Sequence, residues 1–247
     1  MNKLIKEKKV SIITACFNNK DTIIDTFKSI LNQTYNCIEY IVIDGGSTDG
    51  TLDIIKRYES EFIESFSSFV FLSEKDEGIA DAWNKGLNLS TGDIIFFLNS
   101  DDWIDKETVT IAVESIGLNE LAISYGLCNR INEQGEEIGS FQKTFNKYRV
   151  IWNFGFSFTT CFCTKNIYNK IGGFNTEYKI AIDSDFLLRA VKNKVKFIKG
   201  NQTINMRIGG VSTKFRKRAH EEYRKSLIAN NYPKFLVNIS HFFFRNT

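Results

Sequence analysis

VSIITACFNNKDTIIDTFKSILNQTYNCIEYIVID, residues 10–44, decides the fold. It opens with VSIITACF (10–17), a short apolar, β-branched run with the length and composition of a strand. Its middle places Ile23, Ile24, Phe27, Ile30 and Leu31 at i, i+1, i+4, i+7 and i+8, one stripe of an α-helix. It closes with IEYIVID (38–44), strand-like again. Strand, helix and strand joined by short loops predict two parallel strands linked by a right-handed crossover.

The alternation runs on from there. The turn-rich GGSTDGT leads into a helical TLDIIKRYE, then FVFLSE (69–74) reads as a third strand. IADAWNKGLNL follows as a helix and DIIFFLN (93–99) as a fourth strand. Beyond residue 105 the pattern weakens. It predicts a helix over 106–117, a strand at AISYGLC (122–128) and a hairpin around Gln134-Gly135. SFTTCFCT (157–164) reads as a strand and KNIYNKIGGF as a short helix ending at glycine. IDSDFLLRAVKN reads as a helix, and VKFIK and TINMRI as two short strands. A basic helix and an aromatic tail, KFLVNISHFFFRN, come last. With no repeat, low-complexity tract or linker, the expectation is one α/β domain over 1–212 with a mostly parallel central sheet flanked by helices. A helical extension over 213–247 completes the chain.

Composition bounds the function. The 247 residues are 43% hydrophobic and 25% charged, with a formal net charge of +3, too small to argue for nucleic acid. Charge is uneven: from Thr213 onward 8 Lys/Arg face 2 Asp/Glu, leaving +6 there and −3 over residues 1–212. Five scattered cysteines without a CxxC pair, and only two histidines, argue against a zinc site. The N-terminus has no sustained apolar stretch or small-residue cleavage site, so a cytoplasmic protein with reduced thiols is expected. No 18-residue apolar run predicts a membrane span.

Parallel sheets bind ligands outside the carboxyl ends of their strands. Thr14 and Asn18 close the first predicted strand, Asp44 the second; Asp76 follows the third, and Asp101 with Asp102 the fourth. Four consecutive strands thus bring polar or acidic groups to one rim. In FFLNSDDWI (96–104) two adjacent carboxylates end an apolar run, a costly arrangement unless water or a cation takes up their field. The functional reading is a divalent cation held between protein and a substrate pyrophosphate; the plain one is a solvated turn and helix cap. IDGGSTDGT is neither a P-loop, lacking Lys before its Ser/Thr, nor GxGxxG. It remains an Asp at a strand end beside glycines that let a ligand come close. SEKDEGIADAWNKG carries Asp76 and Asp81, with helix capping by Asp76 the competing role. In AIDSDFLLRA, residues two apart point to opposite sides of a helix. Asp185 and Arg189 are spaced to pair, which leaves Asp183 as a free carboxylate, either a base or an N-cap.

In order, VSIITACFN, YIVIDGGSTDGT, EKDEGIADAWNKG and FLNSDD resemble the family 2 glycosyltransferases of GT-A fold, in particular small bacterial enzymes of O-antigen, capsule and exopolysaccharide synthesis. The resemblance is strong over about 10–105 and is extended to about 212 by IGGF, AIDSDFLLR and IGGVS. It implies a nucleotide-binding half (1–105) and an acceptor-binding half (106–212). It implies a nucleotide-diphosphate sugar donor, usually UDP-linked, contacted by Thr14, Ala15, Phe17, Asn18, Asp44, Gly45, Asp76, Asp81, Ser100 and Asp101. It implies Asp102 as a ligand of Mn2+ or Mg2+, Asp183 as catalytic base, and inverting transfer to a glycan or lipid-linked acceptor. Three departures stand out: Ser-Asp-Asp replaces Asp-x-Asp, Ile182 precedes the base, and MRIGGVS carries no histidine.

Two other functions fit the acidic rim. A sugar-phosphate nucleotidyltransferase needs a similar metal pair, but usually a Gly-rich loop after strand one, where ACFNNKD has none. A binding protein without turnover would keep the pocket. The basic stretch STKFRKRAHEEYRKS with the Phe-rich tail points to peripheral contact with anionic headgroups at the inner face of the membrane, or to a solvated helix.

Overall fold

The structure, a computed structural model, describes residues 7–210 and 214–245. Its first half follows the predicted alternation: β1 (Val10–Cys16), α1 (Ile23–Leu31), β2 (Ile38–Asp44), α2 (Thr51–Ser65), β3 (Ser68–Ser73), α3 (Ile79–Leu89) and β4 (Ile94–Phe97). These four strands are mutually parallel, in spatial order β3-β2-β1-β4. The chain steps outward from β1 to β3, then crosses back to lay β4 on the other side of β1. The carboxyl ends of β1 and β4 therefore flank a topological switch point, where such sheets open a crevice.

Both faces of this sheet are covered, so its strands are continuously apolar rather than alternating. Period-two geometry still sorts their side chains. Val10 and Ile12 join a core with Phe27, Tyr40 and Phe62 under α1 and α2, whereas Ile13 and Ala15 join the opposite core with Trp83, Phe97, Phe174 and Phe186.

The second half widens the sheet. β5 (Trp103–Ile104), α4 (Thr108–Ile116), β6 (Ala122–Ile131) and β7 (Glu137–Phe141) are followed by β8 (Phe162–Thr164), α5 (Lys165–Ile171), α6 (Ile182–Lys192) and β9 (Lys196–Arg207). β8 runs antiparallel between β4 and β6, and β9 runs parallel to β6. The hairpin expected at Gln134-Gly135 is the β6–β7 pair. Two expectations fail. SFTTCFCT is not one strand: Phe158–Thr160 form a 3-10 turn, stabilised where the Thr160 hydroxyl donates to Ser157 O at 2.7 Å, and only Phe162–Thr164 extend. Hydroxyl side chains bonding their own backbone compete with a ladder in this way. VKFIK and TINMRI are one twelve-residue strand, β9, rather than two. Its register against β6 jumps between Tyr125 and Leu127. There Gly126 admits the β9 backbone so closely that a Cβ would lie 2.0 Å from Gln202 O.

The last helices, α7 (Arg216–Ala229) and α8 (Lys234–Arg245), pack on one another, and α7 also packs on α6. No helix among the described residues is long and apolar enough to cross a membrane.

Candidate active site

The β1 and β2 loops are stitched together at the rim. Asn18 donates its backbone N–H to the Ser47 hydroxyl at 2.8 Å, and its side-chain oxygen accepts Thr48 N at 2.9 Å. Asn19 N donates to Thr51 Oγ1 and Lys20 N to Asp49 Oδ2. Asp44 is 0% exposed and fully engaged. Its carboxylate accepts from Gly46 N, from Ser47 N and Oγ, and from Ser73 Oγ at 2.6 Å. Asp44 thus shapes the loop from inside. Thr14 is likewise completely buried within β1.

The groups that do face outward lie beside them. Phe17 is 60% exposed. Asp76 takes a hydrogen bond from Gly78 N on one oxygen, and its other oxygen fills the space above Gly45, 2.5 Å from where a Cβ would stand. Only glycine at position 45 leaves that carboxylate its place. Phe17 lies across the same spot, 3.4 Å from it. Asp81 sits in the first turn of α3, where it accepts Glu77 N and pairs with Lys85 at 3.1 Å. Partial burial would raise its pKa, but those partners outweigh it and lower the value.

Past β4, the chain turns through Asn99, Ser100, Asp101 and Asp102. Hydroxyls at the start of α1 anchor this turn: Thr22, just before the helix, donates to Ser100 O at 3.1 Å and Thr26 to Asp102 O at 2.7 Å. Ser100 is buried; Asp102 is 1% exposed. Its carboxylate accepts Asn99 Nδ2 at 3.1 Å and Arg207 N at 3.0 Å. Burial, then the neighbouring charge of Asp101, push its pKa up. Burial raises Asp101 as well, with Arg207 pulling the other way. Two ionised carboxylates here lack full compensation.

Arg207 escaped the sequence reading. It ends β9 at this same rim, where its guanidinium donates to Asp101 O at 2.7 Å, pairs with Asp25 at 2.6 Å and lies over the Trp103 ring at 4.8 Å. The strand-end rule would have found it had β9 been recognised as one strand parallel to β6.

Asp183 stands in the first turn of α6. One oxygen accepts Ser184 N at 2.6 Å and the Ser184 hydroxyl at 3.3 Å. Burial raises its pKa against those bonds. Asp185, as its spacing from Arg189 predicts, turns the other way and pairs with it at 2.8 Å. A cleft of about 750 Å3 on that side, lined by Asp185, Arg189, Asn84 and Asn230, includes none of the rim acids. One contact ties the segment before Asp183 to the rim loops. Lys179, just before α6, donates to Glu77 O at 3.0 Å, joining this segment to the loop that carries Asp76. Burial, with the charge of Asp102, raises the Cys128 thiol; burial, then Cys163 and Asp183, raise the Cys161 thiol, which donates to Ser157 O.

Among the described residues no group of three or more His, Cys, Asp or Glu side chains gathers as a metal cage. The donor set available is the Asp101–Asp102 pair. Hard cations take such oxygens, completing their shell with water or phosphate; burial raises the pKa of both acids, and for Asp102 the charge of Asp101 adds to it. The residues present fit a divalent ion.

Comparison with known proteins bears on this arrangement. Residues 11–183 match the family described as Glycosyl transferase family 2. A putative teichuronic acid biosynthesis glycosyltransferase of Bacillus subtilis, TuaG, is 35% identical over 132 residues, 53% of this chain and 51% of that protein. The chain spans only 19% and 18% of two longer glycosyltransferases, from Rickettsia bellii and Streptococcus pneumoniae. Among solved structures, the Pyrobaculum calidifontis mannosyltransferase PcManGT, in complex with GDP-Man and Mn2+, aligns with TM-score 0.69 at 18% identity. The alignment covers 95% of this chain and 68% of that one. TarS of S. aureus, in complex with UDP-GlcNAc, aligns with TM-score 0.67 at 19% identity, covering 96% and 72%. At such identities the two structures speak for the fold alone, and the fold is GT-A. A parallel sheet with an acidic rim at its switch point, matched by the family over most of its length, makes this chain a member of glycosyl transferase family 2.

Proposed function

We propose that the chain is an inverting, metal-dependent glycosyltransferase that moves a sugar from a UDP-sugar to a hydroxyl of a glycan or lipid-linked acceptor in bacterial polysaccharide synthesis. The observation that carries this reading is the pair of half-buried Asp101 and buried Asp102, adjacent carboxylates with few donors at the switch point, with a further acid of raised pKa, Asp183, on the segment that Lys179 joins to the Asp76 loop. The UDP-GlcNAc complex of TarS and the family's polysaccharide enzymes support the donor and pathway class.

Each group has a role. Phe17 and the Asp76 carboxylate flank Gly45 and form a slot for the nucleobase, with Ala15 and Asn18 beside it. Asp44 and Asn18 keep that slot rigid; Thr14 and Asp81 support it from inside the sheet and from α3. Ser100 and Asp101 border the ribose and diphosphate. Mn2+ or Mg2+ held by Asp102, with Asp101, would supply charge neutralisation for the departing diphosphate. The free oxygen of Asp183 accepts the proton of the acceptor hydroxyl. The acceptor oxygen bonds to the anomeric carbon as the bond from that carbon to the diphosphate oxygen breaks. A carboxylate whose pKa is raised toward working pH is the better base.

Asp183→Asn tests this: transfer should fall on the order of 100- to 10,000-fold while UDP-sugar binding by calorimetry stays unchanged. Unimpaired transfer would remove Asp183 from the chemistry. A thermal-shift panel of UDP-, GDP- and dTDP-sugars with and without Mn2+ assigns the nucleotide; stabilisation by UDP-sugars only with metal is expected.

The acceptor and localisation readings rest on α8. Phe235, Leu236 and Ile239 are exposed on one side of it, Val237 is buried on the other, and Arg224 of the basic α7 reaches Asn238. An apolar face next to the basic α7 suits peripheral binding to anionic headgroups at the cytoplasmic surface. Co-sedimentation with vesicles containing phosphatidylglycerol, lost in Phe235→Asp/Ile239→Asp, is expected. Equal recovery with neutral phosphatidylcholine vesicles would contradict it.

A further inference from the structure

The entrance to α6 is held by a residue outside the family match. A helix begins with backbone N–H groups that have no partner in the helix. Here the three N–H groups leading into α6, those of Lys179, Ile180 and Ala181, all donate to one oxygen of Glu222, at 3.0, 2.7 and 3.0 Å. Glu222 belongs to α7 and is 6% exposed. Its other oxygen takes Arg218 Nε at 2.9 Å. Burial would raise its pKa, but these donors prevail and hold it below the ordinary glutamate value, so it is a carboxylate in the fold. One turn on, Ser226 donates to Asp185 Oδ1 at 2.7 Å; a further turn on, Asn230 reaches the same oxygen at 3.4 Å. Residues 222 and 226 of α7, with Asn230 just past its end, form one stripe laid along the start of α6.

We propose that Glu222 is a positioning residue for Asp183, fixing the segment 179–181 and with it the direction in which the first turn of α6 presents the base to the acceptor. The inference rests on Asp183 being that base. Asp183 follows the last clamped N–H by two residues, and its own bonds go only to the adjacent Ser184. Its aim is therefore set by the backbone, and Glu222 sets the backbone. The clamp also fixes Lys179, whose ammonium holds the Asp76 loop through Glu77 O. An arrangement off by about 1 Å costs on the order of 100-fold in rate.

The experiment compares Glu222→Gln, Glu222→Ala and Asp183→Asn in the full chain, reading kcat, KM for donor and acceptor, donor affinity and Tm. The amide of Glu222→Gln keeps the shape but weakens three charge-assisted bonds and turns an N–H2 group toward Arg218. It should lower kcat on the order of 10- to 100-fold, with donor affinity within about twofold and a folded melting transition. Glu222→Ala should lose more. A general loss of folded protein would instead depress donor binding and kcat together. Glu222→Gln with wild-type kcat, alongside inactive Asp183→Asn, overturns the positioning role and leaves the base assignment standing. Active Asp183→Asn overturns both. If Glu222→Ala does not fold, the glutamine variant alone decides.

Discussion

The sheet carries a buried acid at each end, and the two are treated in opposite ways. Glu39, near the amino end of β2, accepts the Ser11 hydroxyl at 2.5 Å, Thr91 N and Oγ1 at 2.7 Å, and the Lys9 ammonium at 3.1 Å. Burial alone would raise its pKa, but this shell lowers it below the ordinary 4.5. Asp102, past the carboxyl end of β4, is raised above the ordinary 3.8, because its burial is met by only two donors, Asn99 and Arg207 N, and Asp101 adds a like charge. One acid is finished by the fold; the other is left for something the fold does not contain. An acid perturbed in this way, with too few partners, points to a functional site.

The sharpest way to break the comparison is Asp102→Asn. Transfer should fall on the order of 100- to 1,000-fold or more, yet the variant should melt no lower than the parent, since a buried repulsion is removed. A large loss of Tm would return Asp102 to the structural class. The reverse pattern is expected of Glu39→Gln: about 1–3 kcal/mol of stability lost through unpaired buried donors, with kcat of the folded protein unchanged.

Acid titration sharpens the contrast through opposite signs. The depressed Glu39 contributes stability that is present above its unfolded pKa and lost as pH falls through the lower folded value. The gap between parent and Glu39→Gln should therefore narrow in acid. Asp102 keeps its proton in the folded state over a window where the unfolded chain has lost it, so its ionisation costs stability as pH rises. Asp102→Asn should gain on the parent from about pH 4 upward by urea denaturation. Added Mn2+ should reduce that gain. The smallest expected effect is that of Thr26→Val, which removes the hydroxyl under the Asp102 carbonyl: about 1 kcal/mol of stability, and weaker donor binding with kcat little changed.

Much of this was legible in the chain because the first hundred residues are locally consistent. The stripe on α1, the apolar runs of β1, β2 and β4, and the acids at their ends follow from period and spacing alone. The i, i+4 pairing of Asp185 with Arg189 was readable for the same reason. Sequence could not say which rim acids face outward. Asp44 and Thr14 turn inward because Ser47, Ser73 and the sheet enclose them, a matter of tertiary contact. Arg207 and Glu222 were invisible for a different reason. Their partners lie 105 and about 40 positions away, across a strand that looked broken at Gly200-Asn201 and a helix that looked merely basic.

The Arg207 and Glu222 contacts also bear on how the protein can be cut. The stretch that defines the family stops at residue 183, but the acidic turn leans on the end of β9, and α6 leans on α7. A truncation at the family boundary would sever both props while keeping the four motifs of residues 10–105. Such a fragment would hold those motifs intact and have neither carboxylate held in place, so chimaeras meant to exchange acceptor preference should carry the segment up to residue 230 as one block.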